Sequence, residues 1–170
     1  DLATLQRTLR PDERVLQFHA LPDRLQVWVV SASDIQAHSI AVKRDELTEL
    51  VEVFRNSVVR GRRTAVANAD KLGAALLGPL GLASGQRLVV VPHGPLHYLP
   101  FQALRVDGQY LIERNPISIA PSISIAARLA ERTPTVAAQL VAFGNPTINP
   151  DVADPLPGAE REVHALSRQF

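Results

Sequence analysis

Arg87-Leu88-Val89-Val90-Val91-Pro92-His93-Gly94-Pro95-Leu96-His97-Tyr98-Leu99-Pro100-Phe101-Gln102-Ala103-Leu104 is the stretch on which the fold turns. Leu88 to Val91 is an unbroken apolar, mostly β-branched run, the pattern of a central strand covered on both faces. Pro92, Gly94 and Pro95 then forbid continuation as strand or helix and predict a tight turn. Leu96, Leu99 and Phe101 follow at spacings that let them plug a core. His93 and His97 are four apart, as in helical zinc sites, where both imidazoles share one face. With Gly94 and Pro95 between them and no acidic third ligand nearby, the segment reads as structure, and no metal ligand and no cofactor is assigned.

Downstream of this stretch, strands and helices alternate. Ile117 to Ala120 reads as a short strand, and Pro121-Ser122 opens a helix through Ala130 with Ser122 as N-cap. Gln139 to Phe143 reads as a second buried strand, expected to lie parallel to Leu88–Val91 in one sheet with Phe101 packed beneath. A Pro-rich loop leads into an amphipathic helix from Gly158 to Phe170, carrying Ala159, Val163, Leu166 and Phe170 on one side. That alternation predicts an α/β fold with a parallel, three-layer sheet. The sheet is expected to be incomplete, with an apolar edge or face left uncovered at the carboxyl end.

Upstream, Leu2 to Leu9 reads as a short helix, broken at Pro11-Asp12. Arg14–Leu21, Arg24–Ser31 and Ile35–Val42 alternate around Pro22-Asp23 and Ser33-Asp34, which predicts an antiparallel meander. Lys43 to Arg60 carries Leu47, Leu50, Val51, Phe54 and Val58 at helical steps and is closed by Gly61. Thr64 to Leu77 is a second helix, with Val66, Ala69, Leu72 and Leu76 inward, ended by Gly78-Pro79.

Composition narrows the function. The chain has 170 residues, 46% of them hydrophobic and 21% charged, enough apolar matter for a packed core. A net charge of +1 gives no electrostatic reason to expect nucleic acid or a membrane surface as partner. The absence of cysteine excludes disulfides, zinc–thiolate sites and a Cys nucleophile within these residues. No apolar run approaches the roughly 20 residues that span a bilayer, and the opening Asp1-Leu2-Ala3 lacks the pattern of a signal peptide. A cytoplasmic location is expected. The sequence holds no methionine, so Asp1 is expected not to be a native translation start. Lys43 and Lys71 are the only lysines, and the excess of Arg, Ala and Pro suggests GC-rich codon usage and a bacterial source.

Other catalytic templates are missing: no G-x-S-x-G elbow and no G-x-x-x-x-G-K phosphate loop. Gly78, Gly81 and Gly85 precede a strand rather than follow one, which counts against a nucleotide-binding α/β domain. Ser122 and Ser124 are not brought to His164 by any pattern. Asp151, Asp154 and Glu160 are explained by loop solvation and by a helix N-terminus, where negative charge is favoured.

The quoted stretch resembles the signature of the CHAT domain family, caspase- and separase-like proteins of the cysteine peptidase kind: an apolar strand, P-x-G-x-L, then L-P-F-x-A-L. Further pieces follow in the family's order. Tyr110-Leu111-Ile112-Glu113 is similar to its Y-L-x-E, Ile117–Ser122 to its strand and P-S, and Leu140–Pro146 to its strand ending in G-N-P. Leu156-Pro157-Gly158-Ala159-Glu160-Arg161-Glu162-Val163 is similar to its L-P-x-A-x-x-E-V, and Leu5–Val30 fits its lead-in. The resemblance implies a three-layer caspase-like sheet preceded by the meander and helices. Residues 1–135 would be the N-terminal, pseudo-caspase-like part, and residues 136–170 the first strand and helix of the catalytic half.

The resemblance also implies a catalytic His in an H-x-x-x-H-G segment and a Cys in an S-A-C-x-T segment. Neither segment occurs here, and His93, His97 and His164 do not match the His motif, so no catalytic residue is assigned. Two functions are then open: the N-terminal part of a cysteine endopeptidase, or a noncatalytic interaction scaffold of the same fold. For the first, partners would be a protein or peptide substrate and the remainder of the domain or a second chain. Asp151 and Asp154, in the loop after Gln139–Phe143, are the candidate substrate-binding residues, placed to meet a basic side chain.

Overall fold

The computed structural model describes residues 2–61, 63–131, 141–145 and 154–168. They fall into two compact units, Asp1–Arg132 and Thr133–Phe170.

In the first unit a short helix, α1 (Leu2–Thr8), leads into three strands, β1 (Glu13–Ala20), β2 (Leu25–Val30) and β3 (Ile35–Ile40). Their two-residue periodicity and the polar turns between them make an antiparallel meander, with Phe18 opposite Val27 and Trp28 opposite Ala37. Two helices follow, α2 (Arg44–Val59) and α3 (Thr64–Leu76), and then β4 (Arg87–Val91). β4 pairs with β1 in parallel, Val15 opposite Val89. The meander is therefore not a separate module: it continues the main sheet.

Beyond β4 the chain makes a small hairpin, β5 (Arg105–Val106) and β6 (Gln109–Tyr110). Its turn, Asp107-Gly108, holds both residues at positive φ, 52° and 77°, the geometry that two-residue hairpins select. The short helix α4 (Leu111–Arg114) and strand β7 (Ile117–Ile119) come next, and β7 adds to β4 in parallel. The five-stranded mixed sheet runs β3-β2-β1-β4-β7, and helix α5 (Ile123–Glu131) follows.

β4 is an interior strand, flanked by β1 and β7, as its apolar run predicts. Leu88 and Val90 point to the larger core, which holds Phe18, Leu47, Phe54, Leu72 and Phe101. Val91 points to the other, with Leu5, Val15, Val30 and Ala120. Helices α2 and α3 supply the cover on the first side, and α1 and α5 pack together on the second. The result is the three-layer α/β arrangement.

Local departures have local causes. On α2, Leu47, Val51 and Phe54 are buried as expected, but Val58 is exposed and Ser57 is buried in its place. Ser57 Oγ donates to the Phe54 carbonyl at 2.6 Å and accepts from Asn68 Nδ2 at 3.3 Å, so its polar atom is satisfied inside the helix pair. On α3, Val66 is exposed while Gly73 is buried. A Cβ on Gly73 would collide with the carbonyl oxygen of Arg105, so glycine lets the helix lie on the hairpin backbone.

In the second unit, α6 (Pro157–Leu166) is the expected helix, with a shorter span. Phe170 and Leu140 lie outside the described residues. Of the expected buried strand Gln139–Phe143, the described residues Val141 to Phe143 carry no strand pairing, and Val141 and Phe143 are 72% and 93% exposed rather than buried. Both sides of β4 are taken, by β1 and β7, so the position beside Leu88–Val91 is filled from within the first unit. An apolar run alone does not pick a strand's neighbours.

Candidate functional site

The turn after β4 is built by its own residues. Gly94 takes φ +58°, and Gly94–Tyr98 forms a single turn of 3-10 helix with Leu96 N–H donating to the His93 carbonyl at 3.3 Å. Leu96 is fully buried and Phe101 is 1% exposed. The Phe101 ring lies 5.4 Å from that of Phe18 at 42°, a tilted aromatic pair. These side chains anchor the turn against the sheet and leave His93, His97 and Tyr98 on its outer side, with Tyr98 66% exposed.

His93 finishes β1. That strand runs three residues past its last β4 partner, Gln17, so the backbone of Phe18, His19 and Ala20 has no ladder on this side. His93 Nδ1 accepts the Ala20 N–H at 3.2 Å. Arg44, at the start of α2, donates through Nε and Nη2 to the Ala20 carbonyl, at 3.2 and 2.7 Å. Two side chains thus stand in for the missing strand, as buried backbone groups require. The His19 ring lies 4.2 Å from the His93 ring. Burial, above all, and then the neighbouring His19, Arg44 and His97 hold the His93 imidazole below its ordinary 6.5. With Nδ1 accepting, the neutral ring carries its proton on Nε2.

This cluster sits at the carboxyl ends of two parallel strands, where α/β folds place their sites. Sequence reading missed it. His93 was visible as the residue after a buried strand, but nothing in the local pattern joins it to His19 and Arg44. A groove of about 630 Å3 on the other side of the sheet, floored by Trp28 and Val30 and walled by Leu5 and Ile123, is mostly apolar, with Arg128 at its rim. It has the lining of a contact surface rather than of a reactive site.

The expected site residues are placed as follows. Asp154 is exposed, in the segment that enters α6, and Asp151 lies outside the described residues. Ser122 Oγ accepts the Ile125 N–H at 3.2 Å, so it caps α5. Ser122 and Ser124 belong to the first unit and His164 to the second. Among the described residues no three His, Asp or Glu side chains gather as a metal site.

The sequence model of the CHAT domain matches residues 66–170. This chain belongs to the CHAT domain family. No curated protein gives a significant match.

The CHAT match gives the motif pieces a physical reading. In the Y-L-I-E piece, the Tyr110 N–H donates to Glu113 Oε2 at 3.0 Å, which closes the first turn of α4. The G-N-P and L-P-G-A pieces fit each other within the second unit. A Cβ on Gly144 would fall 2.8 Å from the Ala159 carbonyl oxygen and 2.7 Å from Val163 Cγ2, so only glycine lies this close to α6. Asn145, at φ +49°, accepts the Leu156 N–H through Oδ1 at 2.8 Å and donates through Nδ2 to Glu160 at 2.9 Å. One side chain thereby holds both the entry and the first turn of α6. The CHAT chain described here carries no cysteine, so its own residues offer no thiolate. Among the described residues no helix is long and apolar enough to cross a membrane.

Proposed function

We propose that this chain is the N-terminal part of a caspase-like cysteine endopeptidase whose catalytic His and Cys lie outside these 170 residues. The CHAT match over residues 66–170 carries the reading. The lack of cysteine within the chain is compatible with it, because the expected nucleophile belongs to a later segment. In such an enzyme a Cys thiolate attacks the scissile carbonyl, and a His protonates the leaving amine. The present residues would brace the sheet that carries them. Residues 1–135 would form the N-terminal part and 136–170 would open the catalytic half, completed by the rest of the same domain or by a second chain. Asp151 and Asp154 would meet a basic side chain of a protein or peptide substrate. Such an enzyme would act in a bacterial cytoplasm.

The test is the peptidase activity of the full-length protein against peptides with basic and acidic residues at the cleavage site. Hydrolysis blocked by a thiol-directed reagent, with Asp154→Asn lowering kcat/KM for basic substrates only, is the expected result. A full-length protein without a downstream Cys/His pair, or without hydrolysis, would make the noncatalytic scaffold the better reading.

A further inference from the structure

We propose that His19, Arg44 and His93 form a binding site for an oxyanion, a carboxylate or phosphate group, in the notch where β4 turns away from β1. The reasoning starts from backbone bonding. β1 outruns β4 by three residues, and the gap is closed by side chains rather than by a strand. The closing groups are an imidazole and a guanidinium, and a second imidazole stacks beside the first at 4.2 Å. Arg44 spends Nε and one Nη2 proton on the Ala20 carbonyl. A guanidinium has five N–H donors, so three remain for a ligand. His93 uses only Nδ1 and keeps its Nε2–H as a donor.

The charges around this notch have one sign. His93 faces His19 from β1, Arg44 from α2 and His97 from its own turn, and each of them disfavours its protonation. No carboxylate forms an ion pair with any of these four groups among the described residues. Asp23 is engaged by Arg24, and Asp45 and Glu46 of the first turn of α2 are exposed. A guanidinium with free N–H groups beside an imidazole N–H, without an acidic partner and at the carboxyl edge of parallel strands, is matched chemically by an oxyanion. A bound anion would accept from the free N–H groups of Arg44 and from the Nε2–H of His93, whose Nδ1 stays engaged by the Ala20 N–H.

The experiment is an NMR titration of the chain with inorganic phosphate in one arm and sodium acetate in the other, read at the ring protons of His19 and His93. The expected result is a saturable shift of both rings with at least one of the two anions, the better arm naming the ligand class. His19→Gln leaves both bonds to Ala20 in place and should weaken binding about tenfold. Arg44→Gln should weaken it at least as much, and if that variant fails to fold, His19→Gln decides. No saturable shift with either anion, or the same affinity in His19→Gln, would overturn the site. None of these outcomes bears on the peptidase reading, which rests on the CHAT match and not on anion binding at this notch.

Discussion

Phe101→Ala tests the central claim that the turn after β4 is clamped from below. Phe101 is 1% exposed, belongs to the larger core and pairs with Phe18 at 5.4 Å. Removing the ring loses about 2–3 kcal/mol of apolar transfer free energy. The cavity left behind raises the cost to about 3–5 kcal/mol, because the neighbouring β-sheet and helices cannot fully collapse into it. Loss of the tilted pair with Phe18 adds about 0.5–1.5 kcal/mol, partly contained in the same figure. Urea denaturation followed by the fluorescence of Trp28, the single tryptophan, reports on the first unit alone. With a slope of about 2–3 kcal/mol/M, the midpoint should drop by about 1–2.5 M. Phe143→Ala is the control: that ring is 93% exposed, and its loss should leave the midpoint nearly unchanged. A cost below about 1 kcal/mol for Phe101→Ala would refute the clamp.

Three further outcomes are expected. Gly144→Ala should loosen α6, since the added methyl meets the Ala159 carbonyl and Val163; amide exchange across Glu160–Leu166 should speed up while the Trp28 transition stays put. The folded state of the chain holds His93 below 6.5, so it binds fewer protons there than the unfolded state does. The stability this contributes is present above about pH 6.5 and is lost as the pH falls through the lower folded value. His93→Gln should flatten that part of the stability–pH curve, and an unchanged curve would count against the Ala20 bond. The 170-residue chain alone should show no peptidase activity sensitive to thiol reagents, because it has no thiol; an active-site titration with iodoacetamide checks this.

Much of the architecture was legible because periodicity reports burial directly. The meander strands, α2, α3, β4 and the cap at Ser122 all follow from patterns a few residues long. What periodicity could not show was who pairs with whom. Val141–Phe143 has the apolar look of a strand, yet Phe143 faces solvent, whereas the short β7 gained the place beside β4. The Asp107-Gly108 hairpin signal was present and unread, being flanked by only two residues of strand on each side. The notch was illegible for a different reason. Arg44, His19 and His93 meet only because β1 and β4 are adjacent, a long-range fact that no local window contains.

The parallel pairing of β1 with β4 also sets an order of events in folding. Ala20 and His93 bond across 73 residues of chain, whereas the meander closes through turns of a few residues. Closing a long loop costs entropy before any contact returns it, and such pairings are slow. The meander and the α2–α3 hairpin can therefore condense first, each from neighbours in sequence, while β1 still presents its open side. Arrival of β4 is then the late step that joins them, and the bond from Ala20 to His93 is among the last to form. Substitutions in β2 should slow folding, and those in β4 should mainly hasten unfolding.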